Sequence, residues 1–429
     1  MFNALTVAAG KAVKRLAKLR GGGSALPGLV VEKLDKGFLS RTLAQLPYGV
    51  VVVSGTNGKT TTTKMVVELL RARGLRVFTN DTGSNFVRGV LAALMNEVDA
   101  KGRLDADIAV LELDEAHAVH FVAQVKPRHA LLLNVMRDQL DRFGEVDYTA
   151  SLLAKIAAAT TGTVVTNRHD RRLLALGKTI SDAGTARVDY FGLSETTAAQ
   201  FPDDAGLPDD RQADTDVPTA SVVLEELQGG SRARFTVAGA DYSTQLKLTG
   251  LYNIYNAAAA LALARAVLPE HLQDDAALVR ALANVEPAFG RGESLEVNGQ
   301  PLELVLVKNP AGFRLALASF SPTGYATMIA VNDAYADGRD LSWLWDVDFE
   351  SLREAGVDMV CGVRAHEMGL RLYYDQVPVA ALNTDVQAAM NQFLETHPDQ
   401  PKRIFCTYTA MLALRKQLGT MTDVETAIQ

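Results

Sequence analysis

The chain reads as an α/β protein with mostly parallel sheets, and three observations predict it. Apolar runs of strand length end again and again in polar or glycine-bearing turns that lead into helical periodicity. Val50-Val-Val-Val53 has no polar alternation, which suits a strand buried on both faces of a parallel sheet. The same pattern starts afresh from about residue 297, so a second α/β unit follows the first.

At 429 residues the chain needs more than one core. The division expected is 1–45 for a basic helix and lead-in, 46–296 for a central nucleotide-binding unit and 297–429 for the second unit. Hydrophobic content of 48% and charged content of 22% are globular values. A net charge of −7 argues against a general nucleic-acid binder. Cys361 and Cys406 are far apart, which excludes a disulfide framework and a cysteine zinc site and leaves both as small buried hydrophobes. No apolar run approaches the about 20 residues of a membrane span, and no signal peptide is evident, so a cytoplasmic protein is expected.

Lys11, Lys14, Arg15, Lys18 and Arg20 lie among Leu5, Val7, Val13, Leu16 and Leu19, the pattern of a basic amphipathic helix. Such a helix fits the anionic inner face of a membrane. A helix packed on the protein with a solvated basic face fits too, and is preferred.

After the valine strand comes Ser54-Gly-Thr-Asn-Gly-Lys-Thr60, and from Thr61 the chain is helical, with Met65, Val66, Leu69 and Leu70 apolar. Strand, glycine loop, lysine, hydroxyl and helix form a phosphate-binding loop. Gly55 and Gly58 let the backbone wrap an anion, with Thr56, Asn57 and Thr61 in the same loop. Lys59 would reach the β- and γ-phosphates of ATP, and Thr60 would ligate Mg²⁺. Val53 stands where the standard Walker pattern has its first glycine.

Further along, Asn80-Asp-Thr-Gly-Ser-Asn85 is a polar glycine turn. The strand from Ile108 ends in Glu112, Asp114 and Glu115, placed to hold Mg²⁺ opposite the phosphate loop. Ala130-Leu-Leu-Leu-Asn134 is another strand, followed by Asp138 and Asp141. An acidic, proline-bearing insertion spans about 198–220, and 221–249 suggests a hairpin or small sheet. Arg291, in Phe289-Gly-Arg-Gly-Glu293, is a candidate to pair with phosphate. Trp343 and Trp345 follow Asp340, and packing is expected for at least one of them.

The loop is similar to the Gly-Thr-x-Gly-Lys-Thr of Mur ligases. With Asn80-x-x-Gly-Ser-Asn85, Glu112-x-Asp-Glu115, Arg137-Asp-Gln-x-Asp-Arg-Phe-Gly144, Lys308-Asn-Pro-Ala-Gly312 and Asp337-Gly-Arg-Asp-x-Ser-Trp343, nearly the whole chain resembles the MurT family. The resemblance implies a Mur-ligase-type P-loop ATPase unit followed by a Rossmann-like C-terminal α/β unit. It implies ATP- and Mg²⁺-dependent amidation of the D-glutamate α-carboxylate of the lipid II stem peptide through an acyl phosphate, giving D-isoglutamine. Ammonia would come from a GatD-like glutaminase whose cysteine and histidine are completed by an aspartate, here Asp340. Asp340 also suits a helix cap near Ser342. Asn85, within the second of these motifs, is a cofactor-binding candidate with the loop residues Gly55 to Thr61. Asn253 and Asn256 match an adenine-side motif and Arg291 a phosphate-contacting one, while Asn134 and Asp138 fall near the magnesium and acceptor sites. Lys59 and Glu112 carry the chemistry with Asp340; Thr60, Glu112 and Glu115 are the magnesium set.

Two departures from the pattern stand out, while the short N-terminus is shared with it. Residues 200–235 hold no cysteine, so the zinc ribbon of better-known family members is not expected. Gln139 replaces a histidine common in Mur ligases, and Lys155 lies off the spacing of their modified lysine, which leaves a second metal site open. Only about 49 residues precede the phosphate-loop strand, too few for the UDP-binding domain of amino-acid-adding Mur ligases. That argues against an amino-acid-adding ligase of the Mur or folylpolyglutamate type. A nucleotide-dependent scaffold for a glutaminase is the other alternative, opposed by the intact Lys59, Thr60 and carboxylates.

Overall fold

Val50–Ser54 (β1) is buried along its whole length because parallel strands flank it on both sides and helices cover both faces. In the computed structural model, which describes residues 2–19, 26–80, 85–136, 146–199, 201, 217–287 and 291–422, β1 lies within a nine-stranded sheet. The others are β2 (Val77–Thr79), β3 (Ile108–Glu112), β4 (His129–Leu132), β5 (Thr163–Asn167), β6 (Arg187–Leu193), β7 (Val222–Gln228), β8 (Arg232–Val237) and β9 (Ala240–Gln245). Their order is β2-β3-β1-β4-β5-β6-β7-β8-β9. Pairing is parallel as far as β7 and antiparallel from β7 to β9. Residues 222–245 are therefore not a separate small sheet: β7 pairs with β6 over Phe191–Leu193, which merges the meander into the main sheet.

The helices on the N-terminal side are α1 (Phe2–Leu19), α2 (Leu26–Leu34), α3 (Phe38–Leu43), α4 (Lys59–Ala72), α5 (Val87–Glu97) and α6 (Glu115–Val122). The two-residue period of β1 sorts its valines between two cores. Val51 and Val53 pack with Met65, Val66, Leu69 and Leu70 of α4 and with the alanine-rich helix Leu251–Val267. Val50 and Val52 pack with Val90, Leu91 and Leu94 of α5 and with Phe38 of α3.

A second sheet holds β10 (Arg291–Val297), β11 (Gln300–Leu306), β12 (Ala326–Ala330), β13 (Val357–Cys361), β14 (Val379–Asn383) and β15 (Lys402–Cys406), in the order β10-β11-β15-β12-β13-β14. Only the β10–β11 hairpin is antiparallel. Arg291–Val297 pairs with Gln300–Leu306 at one edge of this sheet. Trp343 is buried against Phe313 in this unit's core, whereas Trp345 is half exposed.

In the first sheet the chain moves outward from β1 on both sides, to β3 and β2 on one and to β4 and β5 on the other. Such a switch opens a crevice at the carboxyl ends of the strands. The phosphate loop sits in that crevice, and the helix Pro310–Ser319 of the second unit meets it there.

Candidate functional site

Two glycines shape the loop after β1. Gly55 has φ +134°, and a Cβ there would come within 3.0 Å of the Asn134 amide nitrogen. Gly58, with φ +88°, precedes α4, and its Cβ would lie 2.5 Å from Asn256 Oδ1. Only glycine meets both demands at position 58. The loop backbone is then clamped from β4: Asn57 N–H donates to Asn134 Oδ1 at 2.8 Å, and Asn134 Nδ2 donates to Asn57 O at 3.1 Å.

Lys59 Nζ is buried and donates to Gly55 O at 2.5 Å, to Thr56 O at 3.3 Å and to Glu115 Oε2 at 3.3 Å. Thr60 Oγ1 donates to Glu112 Oε1 at 2.9 Å. The three predicted magnesium residues therefore divide: Thr60 meets Glu112, and Glu115 meets the lysine. Asp114 instead caps α6, accepting from Ala116 N–H. Glu112 is held by its backbone, which exchanges a reciprocal pair of hydrogen bonds with the Asn80 side chain at 2.8 and 2.9 Å.

The neighbouring cleft runs from the loop into an aromatic end. Asn57, Gly58, Asn134 and Asn256 line it on one side, Phe191, Phe201, Tyr252 and Tyr255 on another, and Lys308 and Gly312 close it from the second unit. Asn256 Nδ2 is buried with no hydrogen-bond partner among the described residues, as is Thr61 Oγ1. A phosphate-sized cradle, a partnerless amide in the wall and an aromatic, apolar end fit an adenine nucleotide. The Thr60–Glu112 pair fits Mg²⁺, which takes one or two protein oxygens and fills its shell from phosphate and water.

Other predicted residues fall elsewhere. Asn253 is fully buried, donates to Thr249 O at 2.8 Å and is not in the cleft wall. Asn85 also lies outside the wall, and its carbonyl accepts Asp114 N–H. Arg291 opens β10 opposite Val305; its side chain lies outside the described residues. Residues 81–84, 137–145 (with Asp138, Gln139 and Asp141) and 202–216 of the acidic insertion also lie outside them. Lys155 is exposed on the helix Val146–Ala159.

Asp340 lies on the loop after β12, at the carboxyl edge of the second sheet. Its Oδ1 accepts Ser342 N–H at 2.8 Å and starts the short turn Ser342–Asp346. Asp337 anchors this loop: buried, it accepts Thr409 N–H at 2.7 Å, Thr409 Oγ1–H at 2.5 Å and Ala334 N–H at 3.0 Å. Neither cysteine has a nucleophile's surroundings. Burial pushes the Cys361 thiol up to about 12 and raises Cys406 too, and His366 is exposed on its helix.

The loop's partners in the second unit were not assigned from sequence. Asn57 and Asn309 hydrogen-bond each other through both amides, at 3.0 and 3.2 Å, and Lys308 Nζ donates to Thr56 O at 3.3 Å. Asn309-Pro310 ahead of a helix is a capping signal, and Asn309 Oδ1 does cap Gly312 N–H. Nothing in that signal names the phosphate loop as the far partner.

Residues 53–264 match the family described as Mur ligase middle domain, and residues 306–411 match MurT ligase C-terminal. The subunit MurT of lipid II isoglutaminyl synthase (glutamine-hydrolyzing) from Streptococcus pneumoniae is 32% identical, over 97% of this chain and 97% of that one. The chain belongs to the MurT family. The Staphylococcus aureus MurT is 29% identical over 83% of this chain and 84% of its own. Among solved structures, MurF ligase from Thermotoga maritima in complex with ADP has a TM-score of 0.66 at 18% identity, covering 92% of this chain and 84% of that one. That likeness bears on the fold, and it gives the chain a Mur-ligase architecture of two mainly parallel sheets.

Proposed function

We propose that this MurT-family chain is the ligase subunit of a lipid II isoglutaminyl synthase and amidates the D-glutamate α-carboxylate of the stem peptide. The observation that carries the reading is the loop Gly55–Thr60 held against Glu112 and Glu115 from one sheet and against Lys308 and Asn309 from the other. ATP with Mg²⁺ would supply the phosphoryl group that turns a carboxylate into an acyl phosphate; ammonia then attacks the acyl carbon, the C–O bond to phosphate breaks, inorganic phosphate leaves and the attacking nitrogen loses a proton.

The chain's own residues do the positioning. Gly55 and Gly58 let backbone amides and the start of α4 face the phosphates. Lys59 exchanges a loop carbonyl for a phosphate oxygen while Glu115, 3.3 Å away, holds it in place. Thr60 and Glu112 offer two hard oxygens to the magnesium ion. Asn256 gives its partnerless amide to the nucleotide, and the aromatic end of the cleft takes the base. Lys308 brings a second cation from the other unit to where charge is transferred.

Ammonia comes from a separate glutaminase, since both thiols here are buried and protonated. Asp340, on a loop pinned by Asp337, would orient that partner's histidine. The word subunit in the relatives' name supports a partner. A test is phosphate release from ATP with lipid II and ammonium. Release should require both acceptor and ammonium and vanish in Lys59→Ala; release unaffected by that change counts against the reading.

A further inference from the structure

Residues 1–31 include Lys11, Lys14, Arg15, Lys18 and Arg20 and no aspartate or glutamate, in a chain of net charge −7. α1 is a packed helix, and among its described side chains the solvent face is largely apolar. Gly10 fits so closely that a Cβ would lie 2.6 Å from Met95 Sδ and 2.8 Å from Val31 Cγ2. Lys11 Nζ donates to Val98 O at 2.7 Å, and Lys14 donates to Asn96 Oδ1. Two cations are thus turned inward, onto the carboxyl end of α5, where a helix dipole favours them.

Among the described side chains of α1, those exposed are Ala4, Leu5, Ala8, Ala12, Arg15 and Leu16. At 100° per residue these occupy one arc of about 120°. Leu5 is 71% exposed and Leu16 59%. α2, packed on α5 beside α1, exposes Leu26 and Leu34 at its two ends, with Lys33 and Lys36 also exposed. A surface helix ordinarily turns a polar face to water. Here leucines and alanines face out, flanked by cations.

We propose that α1, with the ends of α2, docks this protein on the surface of an anionic lipid bilayer. Leu5 and Leu16 enter the boundary between headgroups and acyl chains, and Arg15, Lys33 and Lys36 meet lipid phosphates. Two observations favour lipid over protein as the occupant. A locally cationic, acid-free segment on an acidic chain complements an anionic surface. Among the described side chains the face also carries no aromatic, whereas stable protein interfaces are anchored by aromatics; of the exposed aromatics, Tyr148 lies on the helix Val146–Ala159 and Tyr335, Trp345, Tyr373, Tyr374 and Tyr408 lie in the second unit. Vesicle binding stands apart from the amidation reading; the purpose of docking, holding the site at the leaflet that carries the substrate, rests on it.

The test is co-sedimentation of the full chain with phosphatidylcholine vesicles that contain or lack phosphatidylglycerol. We expect binding to the anionic vesicles only, weakening at high salt. The partition coefficient should fall about tenfold in Leu5→Ser/Leu16→Ser and also in Arg15→Glu. All three positions are exposed, so unchanged melting shows that the variants fold. Amidation of detergent-solubilised lipid II should be unaltered, which separates failure of this proposal from failure of the ligase reading. Equal partitioning of the double variant and the parent, or no binding to anionic vesicles at low salt, overturns the proposal. So does a change of oligomeric state or of glutaminase affinity in the double variant with vesicle binding intact, since the face would then be a protein interface.

Discussion

Asn57 of the phosphate loop and Asn309 of the second unit hold each other by two side-chain hydrogen bonds, at 3.0 and 3.2 Å. Asn309 is fully buried, and its Oδ1 also caps Gly312 N–H. One residue therefore ties together the nucleotide loop, the cap of a second-unit helix and the seam between two sheets. Asn309→Ala takes the partner from Asn57 Oδ1 and from Gly312 N–H at once. The expected loss is about 2–3 kcal/mol, since each buried unsatisfied group costs about 1–3 kcal/mol, with a raised KM for ATP. Thermal melting and ATP kinetics check both.

Gly58→Ala should weaken nucleotide binding beyond its effect on stability. The left-handed backbone costs about 1–2 kcal/mol for a residue with a Cβ, and the methyl also displaces Asn256, whose amide faces the cleft. Calorimetric titration with ADP should show at least about a tenfold loss of affinity, about 1.4 kcal/mol. Gly58→Ala/Asn256→Gly should regain part of the melting temperature and none of the affinity.

Lys59 and Glu115 are both nearly inaccessible and pair at 3.3 Å. Removing one partner of such a pair leaves a buried charge and costs about 3–5 kcal/mol. Glu115→Ala should therefore melt well below Lys59→Met/Glu115→Leu, which buries no charge. Both variants should lack activity. A single Glu115→Ala as stable as the parent would mean that the carboxylate does not hold the lysine.

Burial lowers the pKa of His129 from 6.5 to about 4, and its Nδ1 has no partner among the described residues. The unfolded chain takes up this proton below pH 6.5 and the folded chain only near 4, so stability falls as pH drops through that window. At pH 5 the loss is about 2 kcal/mol by linkage. His129→Leu should flatten the fall in melting temperature between pH 6.5 and 4.5 and leave pH 8 nearly unchanged. Buried His169 shifts the same way and adds to the slope that remains.

Asp340 separates the two half-reactions. Asp340→Asn should keep ammonium-driven amidation within about twofold and lower the glutamine-driven rate, with the glutaminase present, by about a hundredfold or more. Because Oδ1 caps Ser342, and asparagine caps nearly as well, melting should hardly move. Equal losses with both nitrogen sources would make Asp340 a structural cap only.

Residues with a local rule behind them were legible in the sequence. The four valines of β1 are buried on both faces, and Gly55 and Gly58 have the positive φ that a phosphate loop demands. Thr60 and Glu112 meet because a doubly wound sheet brings strand ends together. What sequence did not give are pairings made across the fold. Glu115 meets Lys59 and Asn253 donates to Thr249 O, contacts that depend on how each helix is rotated and that no spacing announces. The Asn57–Asn309 contact bridges two sheets, and no periodicity reports how sheets pack. Lys11 and Lys14 point inward because Gly10 draws α1 against α5, a packing effect that a helical wheel does not contain.

The most direct measurement is mass spectrometry of lipid II after incubation with this protein, ATP, Mg²⁺ and ammonium, without a glutaminase. The account predicts the small mass loss of a carboxyl converted to a carboxamide at the stem D-glutamate, absent with Lys59→Ala. A mass gain of one residue when amino acids are supplied, or no change even when glutamine and the glutaminase are added, would contradict it.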